Sequence, residues 1–115
     1  MGSECSIGDG AQIMAGAILQ AGCSVGHFAI VNTGACVDHD CVLGVGCHIA
    51  PRATLGGSVK VGTETLVGIG ATVRQGIVIG DRSLIGGGAM VVVNIDNGEQ
   101  RAGVPARLRN FRTMS

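Results

Sequence analysis

The sequence predicts an all-β fold in which very short parallel strands wind into about five stacked triangular coils. Three observations predict it. Stepping by six from Ile7 to Val91 meets only Ile, Leu or Val, at fifteen successive positions with no insertion. Four residues after each aliphatic residue comes a mostly small one, as at Ala11, Ala17, Cys23, Ala29 and Ala35. Glycine directly follows the aliphatic residue in eight of the fifteen hexads, as in Ile7-Gly8, Val25-Gly26 and Leu43-Gly44.

A six-residue period cannot be helical, because 3.6 residues per turn would carry the aliphatic stripe around the surface. Six is even, so an extended chain returns every sixth side chain to the same face. Tight turns must join such strands, with Gly and Asn expected where backbone angles are unusual. Three hexads per coil divide the chain at roughly 7–24, 25–42, 43–60, 61–78 and 79–96. Residues 1–96 then form the coiled body, and 97–115 a C-terminal tail expected to pack on the last coil.

Composition agrees with a repeat. The 115 residues suffice for one small domain. They include 21 glycines, two phenylalanines and no tryptophan or tyrosine, so the core must be built from regular layers of small residues. Charged residues make up only 14% and apolar residues 46%, which excludes a disordered chain. Two prolines exclude collagen, and no apolar run is long enough to span a membrane.

Eight basic residues balance eight acidic ones, so no global field draws nucleic acid or membrane. The tail is the exception. Arg101, Arg107, Arg109 and Arg112 face Glu99 alone there, which reads either as a small anion site or as a solvated basic tail. Five cysteines, none in a C-x-x-C pair, suit reduced thiols and a cytoplasmic location. Cys5, Cys23 and Cys41 are spaced by eighteen and should stack inward as small packing residues. Cys36, Cys41, Cys47 and His48 match no common zinc spacing, and no metal is expected.

Chemistry must come from three histidines, His27, His39 and His48. His27 reads as structural. His39 lies in Val37-Asp38-His39-Asp40 at an outward hexad position, with Ala21 one coil below and Gly57 one coil above. Small neighbours should leave a notch beside it, and the adjacent carboxylates could fix its tautomer. A surface histidine between two solvated acids is the plain alternative. His48 shares an outward row with Gln12, Ile30, Leu66 and Leu84. With Val45 and Ile69 outward as well, that apolar row argues for self-association into a closed oligomer, with a site shared between copies.

The six-residue pattern resembles the hexapeptide-repeat family, whose fold is a left-handed parallel β-helix; the handedness comes from that resemblance. The run Val31-Asn32-Thr33-Gly34-Ala35-Cys36-Val37-Asp38-His39-Asp40 narrows it, together with Cys47-His48-Ile49-Ala50-Pro51 and Ala53-Thr54-Leu55-Gly56-Gly57. These segments resemble the sialic acid O-acetyltransferases and the bacterial N-acetyltransferases acting on UDP-linked amino sugars. Gly103-Val104-Pro105-Ala106-Arg107 resembles the segment that follows the last coil in such enzymes.

The resemblance implies an acetyl-CoA-dependent acetyltransferase acting on an amine or hydroxyl of a sugar or other small acceptor. It implies His39 as general base, Asp40 as its orienting acid, and His48 at the thioester end of CoA. Gly57 would supply a backbone amide near the acetyl group. Ile69 and Gly87 would line a pantetheine groove between subunits of a homotrimer, and Arg107 is placed with the CoA-binding residues. Relatives of this type usually carry an N-terminal α/β domain that binds the nucleotide sugar, whereas coils begin almost at Met1 here. The rival expectation is a trimeric scaffold without catalysis, or a separated C-terminal half that binds CoA or a partner protein. The γ-class carbonic anhydrases share the fold, but the spacings of 12 and 9 between these histidines do not match their close histidine pair.

Overall fold

The structure, a computed structural model, describes Gly2 and residues 4–109. Each hexad contributes one two-residue strand, and every third strand stacks in the same sheet. The first face holds β1 (Ser6–Ile7), β4 (Ser24–Val25), β7 (Val42–Leu43), β10 (Lys60–Val61) and β13 (Val78–Ile79). The second holds β2 (Gln12–Ile13), β5 (Ile30–Val31), β8 (His48–Ile49), β11 (Leu66–Val67) and β14 (Leu84–Ile85), then β16 (Gln100–Ala102) and β17 (Arg107–Leu108). The third holds β3 (Ile18–Leu19), β6 (Cys36–Val37), β9 (Thr54–Leu55), β12 (Thr72–Val73) and β15 (Met90–Val91). Pairing is parallel with a strict eighteen-residue offset through the five coils, as in Ile30↔His48 and His48↔Leu66.

In the fifteen strands of the coils, β1 to β15, the second residue points inward. From Leu19 onward every such aliphatic side chain is buried, while Ile7 at the open end stays 40% exposed. The small inward residues complete the core, with Ala29, Ala35, Cys41, Cys47 and Ala53 fully covered. Several of these also hydrogen-bond. Cys23 Sγ donates to the Asp38 carbonyl at 3.1 Å, Cys41 Sγ to the Gly56 carbonyl at 3.2 Å, and Thr65 Oγ1 to the Gly80 carbonyl at 2.6 Å. The inward cysteines therefore do more than fill space, which spacing alone did not reveal.

The glycines play the expected part at eight left-handed corners, Gly22 and Gly34 among them, and a second one besides. Left-handed backbone falls three residues after each aliphatic position from Ile7 to Ile85, and six of those corners are not glycine, Asp40 (φ 58°) and Arg52 (φ 61°) among them. The glycines directly after the aliphatic residue instead allow coils to approach. A Cβ on Gly44 would lie 2.7 Å from the backbone of Gly62 and Thr63 in the next coil.

The tail continues the body further than its sequence suggested. β16 extends the second face in parallel, with Leu84↔Gln100, and β17 closes it antiparallel, with Arg101↔Leu108. Ala106 is buried and its N–H donates to the Met90 carbonyl, tying the tail to the third face. Arg101 is engaged by Glu99 at 3.2 Å, so it is not a free anion ligand; Arg107 and Arg109 are exposed, and Arg112 lies outside the described residues.

Candidate active site

The corner between the third and first faces carries His39, as a stack Ala21, His39, Gly57 and Gln75. The left-handed backbone at Asp40 leaves its carboxylate against the preceding ring, where His39 Nδ1 and Asp40 Oδ2 are 3.2 Å apart. An ionised carboxylate only accepts, so the proton of this bond sits on Nδ1 and the Nε2 lone pair is left available. Asp38 does not share this task. Its Oδ1 accepts the His39 backbone N–H at 2.7 Å and so fixes the corner rather than the ring.

The other ring edge lies over Gly57. A Cβ there would be 2.6 Å from both Cε1 and Nε2, so the imidazole occupies the space that the missing side chain vacates. The expected notch is thus filled on that side by the histidine itself. Around the pair are two hollows. One of about 350 Å³ is lined by His39, Gly57, Ser58, Gln75 and Gly76. The other, about 610 Å³, is lined by Asp38, Thr54, Gly57, Thr72, Arg74 and Gln75 among others.

Arg74 and Gln75 were not singled out from sequence. Stepping by eighteen from Asp38 through Gly56 reaches Arg74, and from His39 through Gly57 reaches Gln75, so the register held that signal.

His48 points outward from the second face, in line with Ile30, Leu66 and Leu84 as the spacing predicted. A groove of about 400 Å³ there is lined by His48, Pro51, Leu66, Ile69, Leu84 and Gly87 among others, and His48 is its one polar side chain. Asn32 controls this histidine. Thr33 N–H donates to Asn32 Oδ1 at 2.7 Å, which leaves Nδ2 to face His48 Nε2 at 3.1 Å. Nδ2 can only donate, so Nε2 accepts and the imidazole proton rests on Nδ1. His27 is held differently: its Nδ1 accepts the Asp9 N–H at 2.8 Å, a structural role.

One chain does not bring the two outward histidines together. His39 lies on the corner between the third and first faces, and the second face with His48 is the side opposite that corner. Ile69 and Gly87 join His48, not His39. Arg107 lies beyond them on β17, at the far end of the same face. Among the described residues no three His, Cys, Asp or Glu side chains converge as a metal ion would require, and no helix is long and apolar enough to cross a membrane.

The coiled prism is shared with known acetyltransferases. The acetyltransferase domain of PglB from Neisseria gonorrhoeae, solved with acetyl coenzyme A, superposes with a TM-score of 0.92 at 41% identity, over 93% of this chain and 52% of that one. PerB from Caulobacter crescentus, solved with CoA and GDP-perosamine, gives 0.71 at 34% identity, over 94% and 55%. A hexapeptide transferase family protein from Anaplasma phagocytophilum gives 0.86 at 26% identity, over 92% and 67%. The structural neighbours are thus hexapeptide-repeat acetyltransferases, and the fold is the left-handed β-helix they share. The chain spans about half the length of PglB's domain and of PerB. No family model matches the sequence, and no curated protein does.

Proposed function

We propose that the chain is an acetyl-CoA-dependent acetyltransferase module whose active sites form between copies of itself in a homotrimer. The observation that carries this is the His39 arrangement, with Nδ1 on Asp40 and Nε2 turned over Gly57. In this reading His39 Nε2 takes the proton from an acceptor amine or hydroxyl as that group attacks the thioester carbonyl carbon. The C–O π pair moves onto oxygen, where the Gly57 N–H donates; among the described residues that amide has no other partner. As the pair returns, the C–S bond breaks and the His39 proton goes to the CoA sulfur.

The second face of a neighbouring copy supplies the donor site. His48 Nδ1–H meets the acetyl end, and the groove at Ile69 and Gly87 takes the pantetheine arm. Arg107 on β17 stands four strand spacings from β8, about 19 Å, on the side where the CoA phosphates would lie. PerB was solved with a nucleotide-linked sugar, which supports a sugar amine or hydroxyl as acceptor here. The free thiols of all five cysteines suit a reducing, cytoplasmic setting.

Thermal unfolding with acetyl-CoA, against CoA and ATP, tests the donor site. At 100 times its dissociation constant a ligand adds about 2.7 kcal/mol to the folded state. A rise in melting temperature confined to CoA species is expected. No rise at millimolar acetyl-CoA would sink the reading in favour of a scaffold.

A further inference from the structure

The mechanism above leaves the buried thiols unused, yet they are not distributed at random. We infer that Cys41 is a positioning residue for acyl transfer: its S–H, donated to the Gly56 carbonyl, aims the Gly57 N–H outward at the thioester carbonyl oxygen. This rests on the acetyltransferase reading and adds to it a residue with no access to substrate.

The geometry follows from the peptide unit. In a trans peptide the C=O and the next N–H point in opposite directions. The Gly56 carbonyl is directed to Cys41 Sγ at 3.2 Å, and Cys41 is fully buried. The N–H of Gly57 in that same peptide is therefore directed away from the core. Equivalent amides elsewhere confirm the direction, because they donate to outward side chains: Asp9 to His27 Nδ1, Thr33 to Asn32 Oδ1, His39 to Asp38 Oδ1 and Thr63 to Asp81 Oδ1. Gly57 is the next in the His39 stack, and its amide is left without such an acceptor among the described residues.

Two further features favour a role beyond packing. Burial pushes the Cys41 thiol up to about 11, so it keeps its proton at neutral pH and can donate. The donating thiols are also confined to the lower coils of this corner. Cys5 holds the carbonyl of Gln20, Cys23 that of Asp38, next to His39, and Cys41 that of Gly56; one and two coils above Cys41 the same inward position is Val59 and Ile77. A hydroxyl fits this kind of place, since Thr65 makes the corresponding bond to Gly80 at another corner.

The test reads the donor carbonyl itself and needs no acceptor. Acetyl-CoA labelled with 13C at the carbonyl is bound to the whole protein and its stretch followed by difference infrared spectroscopy. In the wild type the stretch is expected below that of free acetyl-CoA. Cys41→Ala should lose most of that displacement while acetyl-CoA still raises its melting temperature, and Cys41→Ser should keep it. Cys41→Val, filling the site as Val59 does above, should behave as Cys41→Ala and serves if the alanine variant does not fold. Cys23→Ala should leave the displacement intact. An undiminished displacement in Cys41→Ala or Cys41→Val overturns the inference and leaves the acetyltransferase reading standing. An equal loss in Cys23→Ala overturns it as well, because general loosening of the core would then explain the effect. A wild type that binds no acetyl-CoA removes the parent reading first, and this one with it.

Discussion

Gly57→Ala isolates the geometry on which the proposed chemistry turns. The new Cβ would lie 2.6 Å from Cε1 and Nε2 of His39. Carbon contacts settle near 3.5 Å, so the ring must retreat by roughly 0.9 Å. Gly57 is not among the residues with left-handed backbone, so the methyl itself adds no torsional strain. The His39 side chain is 59% exposed and can swing into solvent, which keeps the effect on stability small. Catalysis should be far less tolerant. A misplacement near 1 Å costs on the order of a hundredfold, or about 2.7 kcal/mol of transition-state stabilisation. Thioester loss measured by ultraviolet absorbance, with an acceptor present, should show kcat down by about that factor. Melting temperature and acetyl-CoA binding should stay near wild type. Full turnover in a folded Gly57→Ala protein would refute the placement of His39 as base.

Three further outcomes are expected. His39→Ala should abolish turnover while CoA still raises the melting temperature, because a general base acts in the transition state; loss of CoA binding would instead put His39 in the donor pocket. Asn32→Ala should weaken acetyl-CoA relative to free CoA by roughly fivefold, about one hydrogen bond, since His48 Nδ1–H then loses its fixed orientation. Unchanged discrimination in calorimetry would rule out that role for Asn32. Burial raises the Cys47 thiol from 9.0 to about 12 and Cys41 to about 11, so the unfolded chain releases these protons first. Stability from both is complete below pH 9 and should fall as pH rises toward 12, and Cys47→Ala should flatten that decline in melting temperature. An identical slope in the variant would argue against it.

The body of the fold was legible because a six-residue period, sustained without insertion, admits one regular solution. Its limits lay where that period stops being the governing constraint. From Leu84 to Gln100 the pairing offset is sixteen rather than eighteen, so β16 continues the sheet after the hexads have lost phase. Tight turns suggested glycine where backbone angles are unusual, and many left-handed corners do hold it; what that rule left out is that Asp40 and Arg52 tolerate such corners and that the glycines after the aliphatic positions answer to close approach between coils. His39 and Gly57 could be stacked by counting. Spacing alone left both neighbouring carboxylates open; Asp40 rather than Asp38 holds the ring because the left-handed corner falls at Asp40, in agreement with the residue the resemblance named. Asn32 stood inside the motif without a role, because its effect on His48 runs through the Thr33 amide.

The eighteen-residue register also sorts the candidate residues between copies. Residues eighteen apart stack on one chain, as His39 does with Gly57. His39 and His48 are nine apart, half a coil, so they face opposite sides of the prism. A site that uses both must take each from a different copy. Variants should then fall into two complementation groups, His39→Ala with Gly57→Ala in one and His48→Ala in the other. In the proposed trimer, refolding from equal amounts of His39→Ala and His48→Ala would place both histidines at about one in four seams, by random assortment in a closed ring. Activity should recover to about that fraction of wild type on mixing, while His39→Ala mixed with Gly57→Ala should gain nothing from shared seams. Mixed oligomers shown by mass spectrometry to have formed, yet still inactive, would mean that His39 and His48 do not serve the same site. His48 would then have to be removed from the donor machinery, leaving the His39 corner to act without it.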